Sequence, residues 1–195
     1  MKTTQKILIT IIKDFSAVHT ATSLAQQLKM SRWGVWKIIK ELEKEEIIII
    51  RPTGKGRTST QTIHLNWNNR LTEKTIALTL VQEASAHKRW IFNFSGIEKE
   101  VDFLLLYGSI IHSPKTAGDI DILTVAKEKK LSKINQLIFT IQKTQEKKIH
   151  AHNFTNQEFA KELQKPNKVF IDAVKNGIIL FGQDKFIDFM KRFCQ

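Results

Sequence analysis

The chain has a single cysteine, the penultimate residue Cys194, so no internal disulfide can form. That fits a reducing compartment and predicts a cytoplasmic protein. No apolar run approaches the roughly 20 residues a bilayer span needs, so no membrane contact is expected. The stretch Ile7–Ile12 runs into Lys13-Asp14 without a small-residue cleavage site, and does not read as a secretory leader. Internal repeats and low-complexity tracts are also missing. Acid is scarce: 19 Asp and Glu stand against 31 Lys and Arg, a net charge of +12. Such a charge favours polyanionic partners without choosing among them. It is unevenly spread, with 12 basic and 5 acidic residues up to Arg70 and 19 and 14 after it. What is present, 42% hydrophobic and 26% charged residues over 195 positions, suits one soluble domain or two small ones.

The basic first third has a regular pattern. Ile7, Leu8, Ile11, Ile12 and Phe15 form a helical stripe over Thr4–Phe15. Thr22–Leu28 follows as a short helix with Leu24, Ala25 and Leu28 inward. Ser31 is placed to cap a third helix, on which Val35, Ile38, Ile39 and Leu42 recur at i, i+3, i+4, i+7. Trp33, Trp36, Lys37 and Lys40 then fall on the opposite face, with Arg32 at its start. Ile47–Arg51 and Thr58–Leu65 read as strands around a glycine-bearing turn that carries Lys55 and Arg57.

Helix-turn-helix followed by hairpin, over roughly residues 3–67, resembles the winged-helix family of DNA-binding domains. The resemblance implies that the helix starting at Ser31 enters the major groove of double-stranded DNA while the wing touches phosphate or the minor groove. Arg32, Trp33, Trp36, Lys37, Lys40, Lys55 and Arg57 are the residues it points to. The two tryptophans have other uses open to them: a second protomer, or cover for the other domain.

After the polar break Asn66–Arg70, Leu71 to about Phe92 reads as one long connector helix, with Ile76, Ala77, Leu80, Val81 and Ala84 on a stripe. A homodimer through this helix is a second use for it.

The most informative stretch is Val101–Val125. An apolar run, Phe103–Tyr107, ends at Gly108-Ser109; after a nine-residue gap Asp119-Ile-Asp121 opens a second run, Ile122–Val125. Both runs read as short buried strands. Strand side chains alternate, so Asp119 and Asp121 share a face. Two such carboxylates suit Mg2+, or Mn2+, with phosphate oxygens completing the shell. Gly108 permits close backbone approach to a phosphate, and a helix opening at Ser109 would favour the anion.

Strand, Gly-Ser, gap, Asp-x-Asp and strand together resemble the nucleotidyltransferase superfamily that includes DNA polymerase beta, and more closely its minimal, kanamycin-type members. The resemblance spans about Val101–Gly182, with IDAVKNGIILFG similar to the close of such a domain. It implies that Gly108 and Ser109 hold the phosphates of a nucleoside triphosphate, and that Asp119 and Asp121 are metal ligands and catalytic. The acceptor it implies is a hydroxyl of a protein, an RNA or a small molecule.

Further along, a helix is expected from Ser132 to about Gln145, a strand at Lys148–Phe154, and helices at Gln157–Gln164 and Val169–Lys175. A strand at Ile178–Phe181 and a helix at Lys185–Phe193 complete the chain. The pattern departs from the family in one important place. Members generally carry a third acid on the strand matching KIHAHNF, which here has none. His150 or His152 can accept a proton in its stead, and His152 is assigned to the catalytic set; both are otherwise partly buried strand histidines. Ile110–Pro114 and Gly118 also replace residues usual in the family.

The expected fold is α+β in two domains, a winged helix-turn-helix and an α/β nucleotidyltransferase-like mixed sheet. The boundaries are residues 1–67, a helical connector 68–96, and 97–195. The expected function is a DNA-binding protein with a metal- and nucleotide-binding transferase domain. The alternative is a transcriptional regulator whose second domain is catalytically degenerate, a nucleotide sensor or assembly module.

Overall fold

The computed structural model describes residues 2–54, 60–165 and 168–194. It is α+β and divides into two compact units, 1–79 and 80–195. No helix among the described residues is long and apolar enough to cross a membrane.

The first unit begins with α1 (Thr3–Lys13), α2 (Ala21–Leu28) and α3 (Arg32–Lys44). Local chemistry sets their limits. The Thr20 hydroxyl accepts from the Ser23 amide at 3.0 Å, and the Ser23 hydroxyl returns the bond to the Thr20 amide, so α2 starts in a capping box. Lys29 ends α2 in the left-handed region at φ 54°. Two residues on, the Ser31 hydroxyl accepts from the Gly34 amide at 3.1 Å and opens α3. Strands β1 (Ile48–Thr53) and β2 (Thr60–Leu65) pair antiparallel, from Ile48 opposite Leu65 to Thr53 opposite Thr60. Ile7, Leu8, Leu24, Val35, Ile39, Leu42, Ile48 and Ile63 make one buried cluster. The stripe expected on α3 is its buried face, with Ile38 partly covered.

The connector differs from expectation. It is two helices, α4 (Arg70–Ser85) and α5 (Lys88–Phe94), interrupted at Ala86-His87. The boundary between the units falls inside α4. No glycine or proline causes the break. Ala84, Trp90, Phe94 and Ile97 all enter one core cluster of the second unit. On a straight helix, at about 100° per residue, Trp90 would point about 120° away from Ala84. Breaking the helix brings both onto the same core.

The second unit is built on a four-stranded mixed sheet: β3 (Phe103–Tyr107), β4 (Asp119–Val125), β5 (Lys148–Phe154) and β6 (Ile178–Phe181). The spatial order is β5-β4-β3-β6; β3 runs antiparallel to both β4 and β6, whereas β5 runs parallel to β4. A parallel neighbour needs a crossover. Helix α6 (Glu128–Gln142) supplies it, starting a turn before the expected position because Glu128, Lys129 and Lys130 continue it. After β5 come α7 (Asn156–Gln164) and α8 (Val169–Asn176), and α9 (Gln183–Phe193) ends the fold.

The sheet buries both faces. Leu104, Leu106, Ile120, Ile122 and Ile149 pack with Trp90, Phe94, Ile134 and Ile138. On the other face the Phe103 ring meets Phe159, Phe186 and Phe189 at 5.9, 5.4 and 5.7 Å between centroids. Those partners come from α7 and α9.

Gly182, between β6 and α9, has φ +75°, and a Cβ there would run into the Asp102 carbonyl. The expected result of Gly182→Ala is a loss of about 2–4 kcal/mol, from left-handed strain plus the collision. Urea unfolding followed by circular dichroism measures it.

Candidate metal centre

Register brings the chemistry together. Tyr107, the last residue of β3, lies directly opposite Asp121 on β4, and His150 on β5 is the parallel partner of Asp121. By alternation, Tyr107, Asp119, Asp121 and His150 belong to the same face as Phe103, Leu105, Leu123 and Val125. The apolar members are fully buried, whereas Asp119, Asp121 and Tyr107 are only half-buried. The site is therefore the polar rim of a core-facing surface.

The two carboxylates and one imidazole converge. His150 Nδ1 is 3.1 Å from Asp119 Oδ2 and 3.7 Å from Asp121 Oδ1. One ligand atom from each of Asp119, Asp121 and His150 lies within 4.8 Å of the others, close enough for one cation to bind all three. As hard oxygen donors with an imidazole, this set fits a divalent metal.

Gly108 closes the site from the side. Its backbone, at φ 80° and ψ −168°, is in a region open essentially to glycine alone. A Cβ at 108 would collide with Asp121 Oδ2. The carboxylate thus occupies the space a side chain would take, and the bend and the metal ligand are packed as one unit. Ser109 follows, solvent-exposed, and accepts through its carbonyl from the amides of His112 and Ser113 at 3.1 and 2.8 Å. It opens only a single 3-10 turn, Ser109–Ile111, instead of the expected helix. Helix-dipole stabilisation of an anion is therefore lost, and exposed backbone and hydroxyl remain. The Lys147 ammonium donates to the Ala117 carbonyl, tying down the loop that leads into Asp119.

Charge crowding shows in the acidities. Burial, then the neighbouring Asp119, pushes the Asp121 carboxyl above its ordinary value, with His150 and His152 pulling the other way. Burial and the Asp121 and Asp119 charges push the Tyr107 phenol up to about 12, so it stays protonated.

His152 does not join the carboxylates. It lies one pleat farther along β5, opposite Leu123, with its ring 5.3 Å from Phe170 and 6.4 Å from Phe154. Of the two histidines weighed from the sequence, the parallel register places His150, and not His152, beside Asp121. Tyr107 escaped the sequence reading: it ends an apolar run, and only the β3–β4 pairing sets it against Asp121.

In the first unit Arg32, Trp33, Lys37 and Lys40 are exposed on α3, Trp33 to 75%. Trp36 departs from expectation. It is half-buried and packed against the core cluster, with the Lys40 ammonium 5.0 Å above its ring. Lys40 also pairs with Glu43 at 2.6 Å. Lys55 and Arg57 lie outside the described residues.

No model of a known protein family, no curated protein and no solved structure matches the chain.

Asp121→Asn has an expected pH signature. The folded state holds the Asp121 proton more tightly than the unfolded chain, so stability falls as pH rises from the ordinary carboxylate value of 3.8 through the raised one. At neutral pH the metal-free variant should melt at a higher temperature than the parent. Near pH 3, where both states of Asp121 are protonated, the two should converge. Thermal melts across that range, with chelator present, check it.

Proposed function

We propose that the second unit is a minimal nucleotidyltransferase-like domain that binds a nucleoside triphosphate with a divalent metal and transfers its nucleotidyl group to an acceptor hydroxyl. The observation that carries this is the packing of Asp121 against Gly108: a metal ligand and a bend able to admit a phosphate within one van der Waals contact. In the reaction the acceptor oxygen attacks the α-phosphorus and pyrophosphate leaves. A metal at Asp119 and Asp121 supplies charge neutralisation for the phosphates. Gly108 and Ser109 bind the phosphate chain through backbone and hydroxyl. Tyr107, protonated at physiological pH, offers a hydrogen-bond donor at the rim.

One observation favours a second reading. Strand β5 carries no acid, and the group it aims at the carboxylates is the His150 imidazole. A site without a third carboxylate can bind nucleotide and metal without turnover, which makes the domain a sensor or assembly module.

Incubation with labelled nucleoside triphosphates, Mg2+ or Mn2+ and cell extract separates the two. Label transfer lost in Asp119→Asn, Asp121→Asn is the expected outcome. Metal-dependent nucleotide binding without transfer supports the sensor, and absence of both removes the nucleotidyltransferase reading.

For the first unit we infer a winged helix that binds double-stranded DNA through α3. Its support is the exposed basic surface of that helix, where Arg32, Lys37, Lys40 and Lys44 are exposed together with Trp33. Phosphate contacts make such binding salt-dependent. Replacing Arg32 and Lys37 by alanine together should weaken duplex binding about 10-fold or more and flatten its salt dependence by roughly two counterions. A gel-shift series across salt concentrations checks both, and an unchanged slope would remove α3 from the interface.

A further inference from the structure

The third ligand position of the metal centre is the feature that sets this site apart. We propose that His150 is itself a metal ligand, and that the Asp119–Asp121–His150 set selects a first-row divalent transition metal over Mg2+. The inference rests on the reading of Asp119 and Asp121 as metal ligands and goes beyond it in naming the third donor and the metal class.

The geometry of the donors comes first. Neighbouring donors around a metal with bonds of about 2.1 Å lie about 3 Å apart. His150 Nδ1 is 3.1 Å from Asp119 Oδ2 and 3.7 Å from Asp121 Oδ1. The nitrogen that faces the carboxylates is Nδ1, leaving Nε2 for the proton once Nδ1 coordinates. Strand β5 is the edge of the sheet, and His150 is exposed on it. Among the described residues its polar partners are the two carboxylates.

Donor chemistry then decides the metal. Mg2+ demands near-ideal octahedral oxygen ligation and dehydrates reluctantly. An imidazole nitrogen adds little for it, but strengthens binding of the first-row transition metals, least for Mn2+ and more for Fe2+, Co2+ and Zn2+. A third carboxylate beside Asp119 and Asp121 would have to come from β5, which has no acid and sets the His150 imidazole there instead.

A competing arrangement makes the opposite prediction. If protonated His150 were a built-in cation that takes the place of a metal, its removal would free the carboxylates and tighten metal binding. If it is a ligand, its removal weakens binding of nitrogen-favouring metals.

The test uses the full chain without nucleotide, with free Mn2+ followed by electron paramagnetic resonance and Mg2+ as competitor. The parent should bind Mn2+ at least about 10-fold more tightly than Mg2+, and His150→Ala should weaken Mn2+ by about 10-fold or more while moving Mg2+ little. His150→Asp should narrow the preference by improving Mg2+. Circular dichroism confirms that both variants fold. Unchanged or tighter Mn2+ binding in His150→Ala overturns the inference alone, as does equal affinity of the parent for the two metals. No binding of either metal to the parent, even with nucleoside triphosphate added, overturns both the inference and the reading of Asp119 and Asp121.

Discussion

The second unit depends on the antiparallel pairing of β3 with β4. This register places Asp121 across from Tyr107 and brings its carboxylate over the bare α-carbon of Gly108. The parallel pairing of β4 with β5 then sets His150 beside the same carboxylate. A side chain at 108 would evict the carboxylate, so the left-handed bend and the metal ligand depend on each other. Burial, and then the nearby Asp119 charge, make Asp121 hold its proton more tightly than usual. Folding thus keeps two like charges near each other at a cost in stability.

The remainder of the sheet holds that register. Leu104, Leu106, Ile120 and Ile122 bury one face, and Phe103 anchors the other among Phe159, Phe186 and Phe189. With both faces covered, a one-residue slip of β4 would bury two carboxylates and expose isoleucines. The polar rim is therefore stabilised by apolar residues that never touch it. The first unit is simpler: capped helices packed over a hairpin around one buried cluster.

Much of this was legible in the residues. Strands β3, β5 and β6 match their expected limits, because short apolar or alternating runs bounded by turn residues have few other uses. The shared face of Asp119 and Asp121 followed from strand alternation alone. Other features were not legible. The break between α4 and α5 has no local breaker and answers to Trp90 and Phe94, which must meet a core formed mostly by residues beyond position 100. The early start of α6 was hidden because its first turn is charged and adds nothing to an apolar stripe. Trp36 read as outward from helical phase, yet a wide ring at the border of a stripe can fold back on the core.

By itself, then, the sequence determined the strands, the common face of the two aspartates and the glycine bend, all of which depend on neighbours a few positions apart. The tertiary structure decided which histidine meets the carboxylates and that the single tyrosine, Tyr107, stands opposite Asp121. His150 and His152 are equivalent by alternation, and nothing local distinguishes them. The choice is made by strand register, which is set by how the two buried faces of the sheet pack against helices distant in the chain.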